Sequence, residues 1–155
     1  MVDFDKLKQL REETGISYDL CRKALDEAGN DIEKSKKVLE KIAGKKIEEK
    51  THRATKSGGL FSYVHHNRLV ASMVEIVCET DFVSGNKEFQ DFGYEIAMQV
   101  ASLKPKNVKE LMDQDFIKDP KKKISDLVSE SSLKFGEKIE IARLSVWNLG
   151  EKKNG

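Results

Sequence analysis

Few residues in this chain are of types that could carry catalysis. The strongest candidates are His65, His66 and Cys78, because a thiol beside an imidazole can act as a nucleophile. The pattern predicts a hairpin that turns near His66-Asn67, which puts Cys78 at the far end of the second strand. Adjacent histidines on a strand point to opposite faces and make poor bidentate metal ligands. We therefore expect no catalysis and no metal site.

A second group of side chains could contact phosphate groups. These are the basic residues of the segment 45–57, namely Lys45, Lys46, Lys50, Arg53 and Lys56. Glu48 and Glu49 dilute their charge, and no aromatic residues interleave with them for base stacking. We expect a solvated linker here, and an RNA- or ribosome-associated binding module that uses this linker is the alternative function.

The third candidate is the run Thr80-Asp81-Phe82-Val83, between a predicted strand and a predicted helix. In one interpretation Asp81 caps the helix, and Phe82 or Val83 fastens its first turn to the core. However, Ser84-Gly85-Asn86 separates the run from the apolar stripe that begins at Phe89. That spacing places Phe82 and Val83 on a loop before the helix, where binding groups are common.

Composition limits the remaining possibilities. The chain has 155 residues, 35% of them charged, but its net charge is only +1, which gives no general reason to expect nucleic acid or a membrane as partner. No apolar stretch is long enough to span a bilayer, and the acidic start does not resemble a signal peptide. Cys21 and Cys78 lie in apolar patterns and are expected to be reduced core residues. These features predict a cytoplasmic protein.

The amino-terminal part, residues 1–44, is predicted to form three short helices. Phe4, Leu7 and Leu10 make an apolar stripe at helical spacing. Ser17 is the expected cap of the second helix, and Asn30 or Asp31 that of the third. Residues 45–57 follow as the charged linker, 58–151 as a core and dimerisation domain, and 152–155 as a frayed tail.

The core domain is predicted to be α+β. Residues 60–66 and 68–78 form a hairpin whose second strand is apolar on both faces, so we expect that strand to be covered on both sides. A long helix starts near Ser84 or Asn86, and Asp119-Pro120 is expected to begin a later one. The strand 138–149 carries a bulge near Ala142-Arg143. A three-stranded antiparallel sheet of this kind leaves its edges open, which favours a homodimer.

Three stretches of the sequence carry specific motifs. They are the run from residue 10 to residue 33, with Leu-Arg-Glu-Glu-Thr-Gly at its start; Tyr63-Val-His-His-Asn67 followed by Cys78-Glu-Thr-Asp-Phe-Val83; and Phe135-Gly-Glu-Lys-Ile139. These motifs resemble those of the elongation factor Ts family. They occur in family order and span most of the chain. The first is similar to the family's amino-terminal module, a three-helix fold of the ubiquitin-associated type.

The resemblance implies a guanine-nucleotide exchange factor that binds elongation factor Tu in its GDP form and needs no cofactor. By analogy, Asp81 and Phe82 press on the partner's nucleotide-binding domain and Phe82 wedges between its helices. This disturbs the magnesium and phosphate surroundings, so that GDP leaves. The same analogy makes contact candidates of Thr80, Val83, Arg11, Tyr18 and Asp19, and of His65 and His66 at the hairpin tip.

The chain departs from the family pattern in two ways. Tyr18-Asp19-Leu20-Cys21 stands where many members have Met-Met-Asp-Cys, so the thioether contact is replaced. The segment between Lys104 and Pro120 is abbreviated, and the second sheet subdomain of long members is absent. Short members are expected to pair two chains, which agrees with the homodimer expected from the open sheet.

Overall fold

The computed structural model describes residues 1–50 and 52–151, except for the side chains of residues 47 and 50. The chain divides into two compact units, one formed by Met1–His52 with Ser129–Glu137 and the other by Arg53–Val128 with Lys138–Gly155. The predicted frayed tail, residues 152–155, lies outside the described residues, as do residue 51 and the side chain of residue 50 in the predicted linker. No helix within the described ranges is long and apolar enough to cross a bilayer.

Seven helices and five strands follow one another along the described residues. In chain order they are α1 (Phe4–Thr14), α2 (Tyr18–Glu27), α3 (Ile32–Lys50), β1 (Ser57–Val64), β2 (Val70–Cys78), α4 (Asp81–Ser84), α5 (Lys87–Leu103), α6 (Val108–Asp113), β3 (Asp115–Phe116), β4 (Asp119–Lys123), α7 (Ile124–Phe135) and β5 (Glu140–Asn148). The predicted α+β class and the three amino-terminal helices are confirmed. Helix α3 runs through the first half of the predicted linker.

The first unit is a small helical module with side-chain caps. Ser17 accepts a hydrogen bond from the backbone N–H of Leu20, and Asp31 accepts one from Lys34, so both predicted caps form. The predicted apolar stripe is buried at Leu7 and Leu10, whereas Phe4 is 73% exposed. Val2, on the other side of the Asp3 cap, packs against the core in its place, in the position of a hydrophobic staple. The core members are Leu7, Leu10, Ile16, Cys21, Ala24, Leu25, Leu39, Ala43 and Leu133.

The second unit is built on an antiparallel sheet with strand order β1-β2-β5. Glu75 pairs with Arg143 and Ile76 pairs with Ile141, so Ala142 has no partner opposite it, and the predicted bulge is confirmed. Helix α5, capped by the Asn86 side chain, packs on one face of the sheet. That face is apolar and buried at Val74, Ile76 and Cys78 of β2 and at Phe89, Ile96, Ala97 and Val100 of α5.

The second face of β2 stays partly exposed among the described residues, so this chain alone does not supply the cover that was predicted for both sides of the strand. Met73 lies on this face and is 51% exposed. The apolar residues of the second phase of the strand therefore do not belong to the core.

The prediction that Asp119-Pro120 begins a helix is also wrong. Asp119 starts strand β4 and pairs with Phe116 across a short hairpin. The helix begins at Ile124, where Asp126 accepts a hydrogen bond from the N–H of Lys123 at 2.9 Å. The local sequence pattern did not predict this hairpin, because it is held by hydrogen bonds to Gln99, a residue distant in the sequence.

Candidate functional site

The run from Thr80 to Val83 forms a single helical turn directly after β2. Thr80 is extended, with φ −129° and ψ 158°, and its side chain makes no capping bond. Asp81 is the first residue of α4, so it does not cap the helix in the way one interpretation predicted. Phe82 and Val83 lie within α4, which corrects the prediction that they lie on a loop. The Asn86 cap starts the longer helix α5 separately.

Phe82 and Val83 are adjacent but have opposite environments. Val83 is 8% exposed, whereas Phe82 is 88% exposed. Successive residues of a helix point about 100° apart, so one turn can bury one side chain and present the next to solvent. Val83 thus supplies the staple that holds α4 to its unit. Phe82 is left as an apolar group that the fold does not bury.

In the first unit, Arg11 and Tyr18 form one surface. The Arg11 guanidinium lies 5.6 Å from the centre of the Tyr18 ring, a cation–π arrangement, and Tyr18 is about half exposed. Asp19 is engaged within its own helix, with ion pairs to Arg22 at 3.4 Å and Lys23 at 3.2 Å. Of the three residues of this module that were predicted to contact a partner, Arg11 and Tyr18 lie together, whereas Asp19 is paired within α2.

A second polar arrangement joins α1 to α3 in the same unit. The Glu13 carboxylate accepts a hydrogen bond from Gln9 at 2.8 Å and lies 2.9 Å from the Lys36 ammonium. The bond from Gln9, followed by the bond from Lys36, holds the pKa of Glu13 below its ordinary value. The bond to Glu13 in turn raises the pKa of Lys36. This pair is a charged clamp between the first and third helices.

The two histidines lie in the turn that joins β1 and β2. Their rings are in contact, with centroids 4.2 Å apart and planes tilted by 52°, and the Tyr63 hydroxyl lies 2.9 Å from Nδ1 of His65. The expectation that they point to opposite faces of a strand is wrong, because β1 ends at Val64. Cys78 pairs with Ser57 at the other end of the hairpin, about 25 Å from His65 at the usual rise per residue. A Cys–His nucleophile does not form.

The basic segment does not make a continuous phosphate-binding stripe. Arg53 is paired with Glu79 at 3.5 Å. Lys45 and Lys46 lie on α3, one turn from the exposed Glu48 and Glu49. Nothing in the described side chains favours the RNA-binding alternative over a solvated helix end.

The sequence analysis did not predict that one face of the sheet would be an exposed surface. The alternation of the three strands places Val64, Met73 and Trp147 on the side opposite α5. Trp147 is 66% exposed. The exposed large apolar residues of this open face, with those that flank it at the strand ends, are Leu60, Val64, Leu69, Met73, Trp147 and Leu149. The sequence did contain a signal for this surface, since apolar residues occur on both faces of the strands.

The chain is similar to elongation factors from several bacteria. A family model described as elongation factor TS matches residues 79–154. Elongation factor Ts of Thermotoga neapolitana is 32% identical over 194 aligned residues, which cover 97% of this chain and 98% of that protein. The protein of the same name from Thermotoga petrophila is 33% identical over 193 residues, with 97% of each chain covered. Elongation factor Ts of Coprothermobacter proteolyticus is 31% identical over 190 residues, covering 94% of this chain and 96% of its own.

Together, the helical module, the three-stranded sheet and the relatives define a protein of translation elongation. The aligned lengths exceed the 155 residues of this chain, so it reaches across those relatives with internal gaps. The chain belongs to the elongation factor Ts family, as the sequence motifs predicted.

Proposed function

We propose that this protein is a guanine-nucleotide exchange factor that binds the GDP form of elongation factor Tu and promotes release of GDP. The proposal rests mainly on the contrast between two adjacent residues of α4, because Val83 is buried and Phe82 is almost fully exposed. An exposed aromatic on a short, anchored turn is suited to enter a partner's surface, because aromatic anchors commonly dominate the binding energy of interfaces.

The proposed mechanism is a coupling of two binding equilibria. Asp81 and Phe82 press on the nucleotide-binding domain, and the Phe82 ring enters between helices whose positions shape the magnesium and phosphate site. If the factor weakens GDP binding by a given ratio, GDP weakens factor binding by the same ratio. Each tenfold corresponds to about 1.4 kcal/mol. Exchange makes and breaks no covalent bond, so the protein is not an enzyme in the usual sense.

The other predicted contacts take supporting roles in this proposal. Arg11 and Tyr18 offer a half-exposed ring backed by a guanidinium, where many family members offer two thioethers. This surface would grip the same domain of the partner, with Asp19 at its border. The adjacent rings of His65 and His66 at the hairpin tip would reach a second domain of the partner. A role in elongation would fit a cytoplasmic location, which is part of the proposal.

We further propose that two copies of the chain pair through the open face of the sheet. Six large apolar side chains are exposed on and beside this face, and a large exposed apolar patch often marks a protein interaction site. Glu75 and Arg143, which lie on it, pair with each other at 3.4 Å and add no net charge that would repel a second copy. The chain is shorter than the relatives it aligns with, and short members are expected to pair two chains, which supports a second copy as the partner that covers this face.

The decisive experiment follows release of fluorescently labelled GDP from elongation factor Tu in the presence of excess unlabelled GDP. Adding the protein should accelerate release in a saturable way, while the final balance of bound GDP and GTP stays the same. The mass in solution, measured in parallel by light scattering, should equal two chains. Release at the spontaneous rate across all concentrations would refute the exchange function, and a one-chain mass would refute the dimer.

A further inference from the structure

We propose that Glu79 is a positioning residue for Phe82, and that it acts by locking the end of β2 to the chain that enters β5. The inference rests on the proposed function, since the motion it restrains matters only if Phe82 enters a partner. Glu79 touches neither nucleotide nor partner in this proposal. It fixes the direction in which the neighbouring turn presents its ring.

The carboxylate of Glu79 makes an unusual link between two strand ends. The last pair of the β2–β5 ladder is Val77 with Glu140, so both Glu79 and Lys138 lie two residues beyond it. There the backbone N–H of Lys138 donates to the Glu79 carboxylate at 2.6 Å. A side chain thus continues the pairing where the backbone ladder stops. Charge-assisted bonds of this length are among the strong ones in proteins.

The same carboxylate oxygen is held from a third segment. Nη1 of Arg53, in the stretch that leads into β1, lies 3.5 Å from it. The side chain of Glu79 is only 19% exposed. Three separate segments therefore meet at one sheltered carboxylate, immediately before the extended residue Thr80 and the turn that carries Phe82.

The turn needs such support because it is too short to hold itself. An isolated helical turn is unfavourable, since many backbone angles are fixed for few hydrogen bonds. The Cys78 thiol donates to the carbonyl of Thr80 at 3.3 Å, and Val83 is buried within the turn. Together with Glu79 these contacts fix α4 at its entry and in its middle. A side chain that is already held in its binding orientation raises affinity, because less conformational entropy is lost when the complex forms.

The alternative is that Glu79 only stabilises the sheet, and a double-mutant cycle separates the two. Glu79→Ala in the full chain should lower the maximal rate of GDP release about tenfold, or about 1.4 kcal/mol. Glu79→Gln keeps a carbonyl acceptor for Lys138 and should stay within about threefold of the unmodified chain. The matched control is Glu95→Ala, which removes a carboxylate that is paired with Lys118 at 2.8 Å on another part of the same unit, and should leave the rate unchanged.

The cycle is completed in the Phe82→Ala background. If Glu79 acts through the ring, Glu79→Ala causes no further loss there, because coupled residues are not additive. A purely structural residue would cause the same proportional loss in both backgrounds, and that result would overturn the inference. Equal loss in Glu79→Gln and Glu79→Ala would overturn it as well.

A measurement without any partner keeps the inference separate from the proposed function. Amide hydrogen exchange of the free protein should show Glu79→Ala removing protection of the Lys138 N–H. It should also speed exchange at Gly85, whose N–H bonds to the Asp81 carbonyl at 2.9 Å across the turn. Unchanged exchange at both amides would overturn the positioning role, whatever the release assay shows. If the unmodified chain fails to release GDP while these amides respond, the exchange function alone is refuted.

Discussion

Replacing Phe82 by alanine should separate stability from exchange in this protein. Truncating a buried phenylalanine costs about 3–5 kcal/mol. Because 88% of Phe82 is exposed, only about an eighth of that burial is lost, so the free energy of unfolding should fall by about 0.5 kcal/mol or less. Aromatic anchors in interfaces contribute about 2 kcal/mol or more, so maximal acceleration of GDP release should fall about 30-fold.

The adjacent Val83 provides a matched control on the same turn. Val83→Ala removes two methyl groups from a site that is 8% exposed and should lower the free energy of unfolding by about 1.5–2.5 kcal/mol. Its exchange rate at saturating factor should fall by clearly less than the roughly 30-fold expected for Phe82→Ala, because the Phe82 ring is kept and only its anchor is weakened, provided that the assay temperature leaves the chain folded. Urea titration and labelled-GDP release, run on both variants, measure the two effects independently.

The opposite pattern would refute this reasoning. If Phe82→Ala lowers the free energy of unfolding by several kcal/mol while the remaining folded protein exchanges GDP normally, Phe82 is a core staple. If both variants lose stability and exchange in the same proportion, α4 has only a structural role. Either result would also remove the reason for pre-positioning the ring.

Four further predictions concern the charged clamp, the open face, the entry of strand β1 and helix α3. The pKa of Glu13 is lowered in the folded state, so its carboxylate stabilises the fold fully above its unfolded pKa of about 4.3, and this stabilisation is lost as the pH falls through the folded pKa. Glu13→Gln should therefore lower the urea midpoint of unfolding at about pH 7 but leave it unchanged in acid. Met73→Asp should convert the dimer to a single chain with unchanged circular dichroism, because the side chain is half exposed before pairing; a dimer of unchanged mass would exclude this face. Gly58→Ala should cost about 2 kcal/mol or more in thermal or urea unfolding, since its φ of +148° places a Cβ against the carbonyl of the neighbouring strand. By contrast Gly44→Ala, in open space on α3, should stabilise by about 0.5–1 kcal/mol, and a loss there would contradict the helix-propensity argument.

Features decided by nearby residues were predictable from the sequence. Ser17 and Asn86 cap helices because their side chains reach backbone N–H groups two or three residues ahead. The bulge at Ala142 follows from a change in the phase of apolar residues along one strand. Each of these depends on a contact within a few residues, so the pattern itself contains the information.

Features decided by distant residues were not predictable in this way. The side chain of Gln99 on α5 is 1% exposed and holds the β3–β4 hairpin, by donating to the Asp115 carbonyl at 3.0 Å and accepting from the Ile117 N–H at 3.0 Å. A buried amide must be satisfied, and the hairpin satisfies it. Asp119-Pro120 has a typical helix-start pattern, but this long-range pairing prevails. Similarly, both phases of β2 are apolar, and the sequence does not say whether the second is covered by this chain or by another.

The candidate site combines two interpretations that the sequence left as alternatives. A cap-and-staple account and an exposed-wedge account were both compatible with Thr80-Asp81-Phe82-Val83, because either needs an apolar residue near the start of a helix. The structure assigns burial to Val83 and exposure to Phe82, on a turn of four residues that precedes the capped helix α5. A wedge can act only if something else anchors it, since a ring on an unanchored turn would yield when pressed against a partner. In the proposed mechanism, the buried valine would therefore be what holds the exposed phenylalanine in place when it presses on the partner.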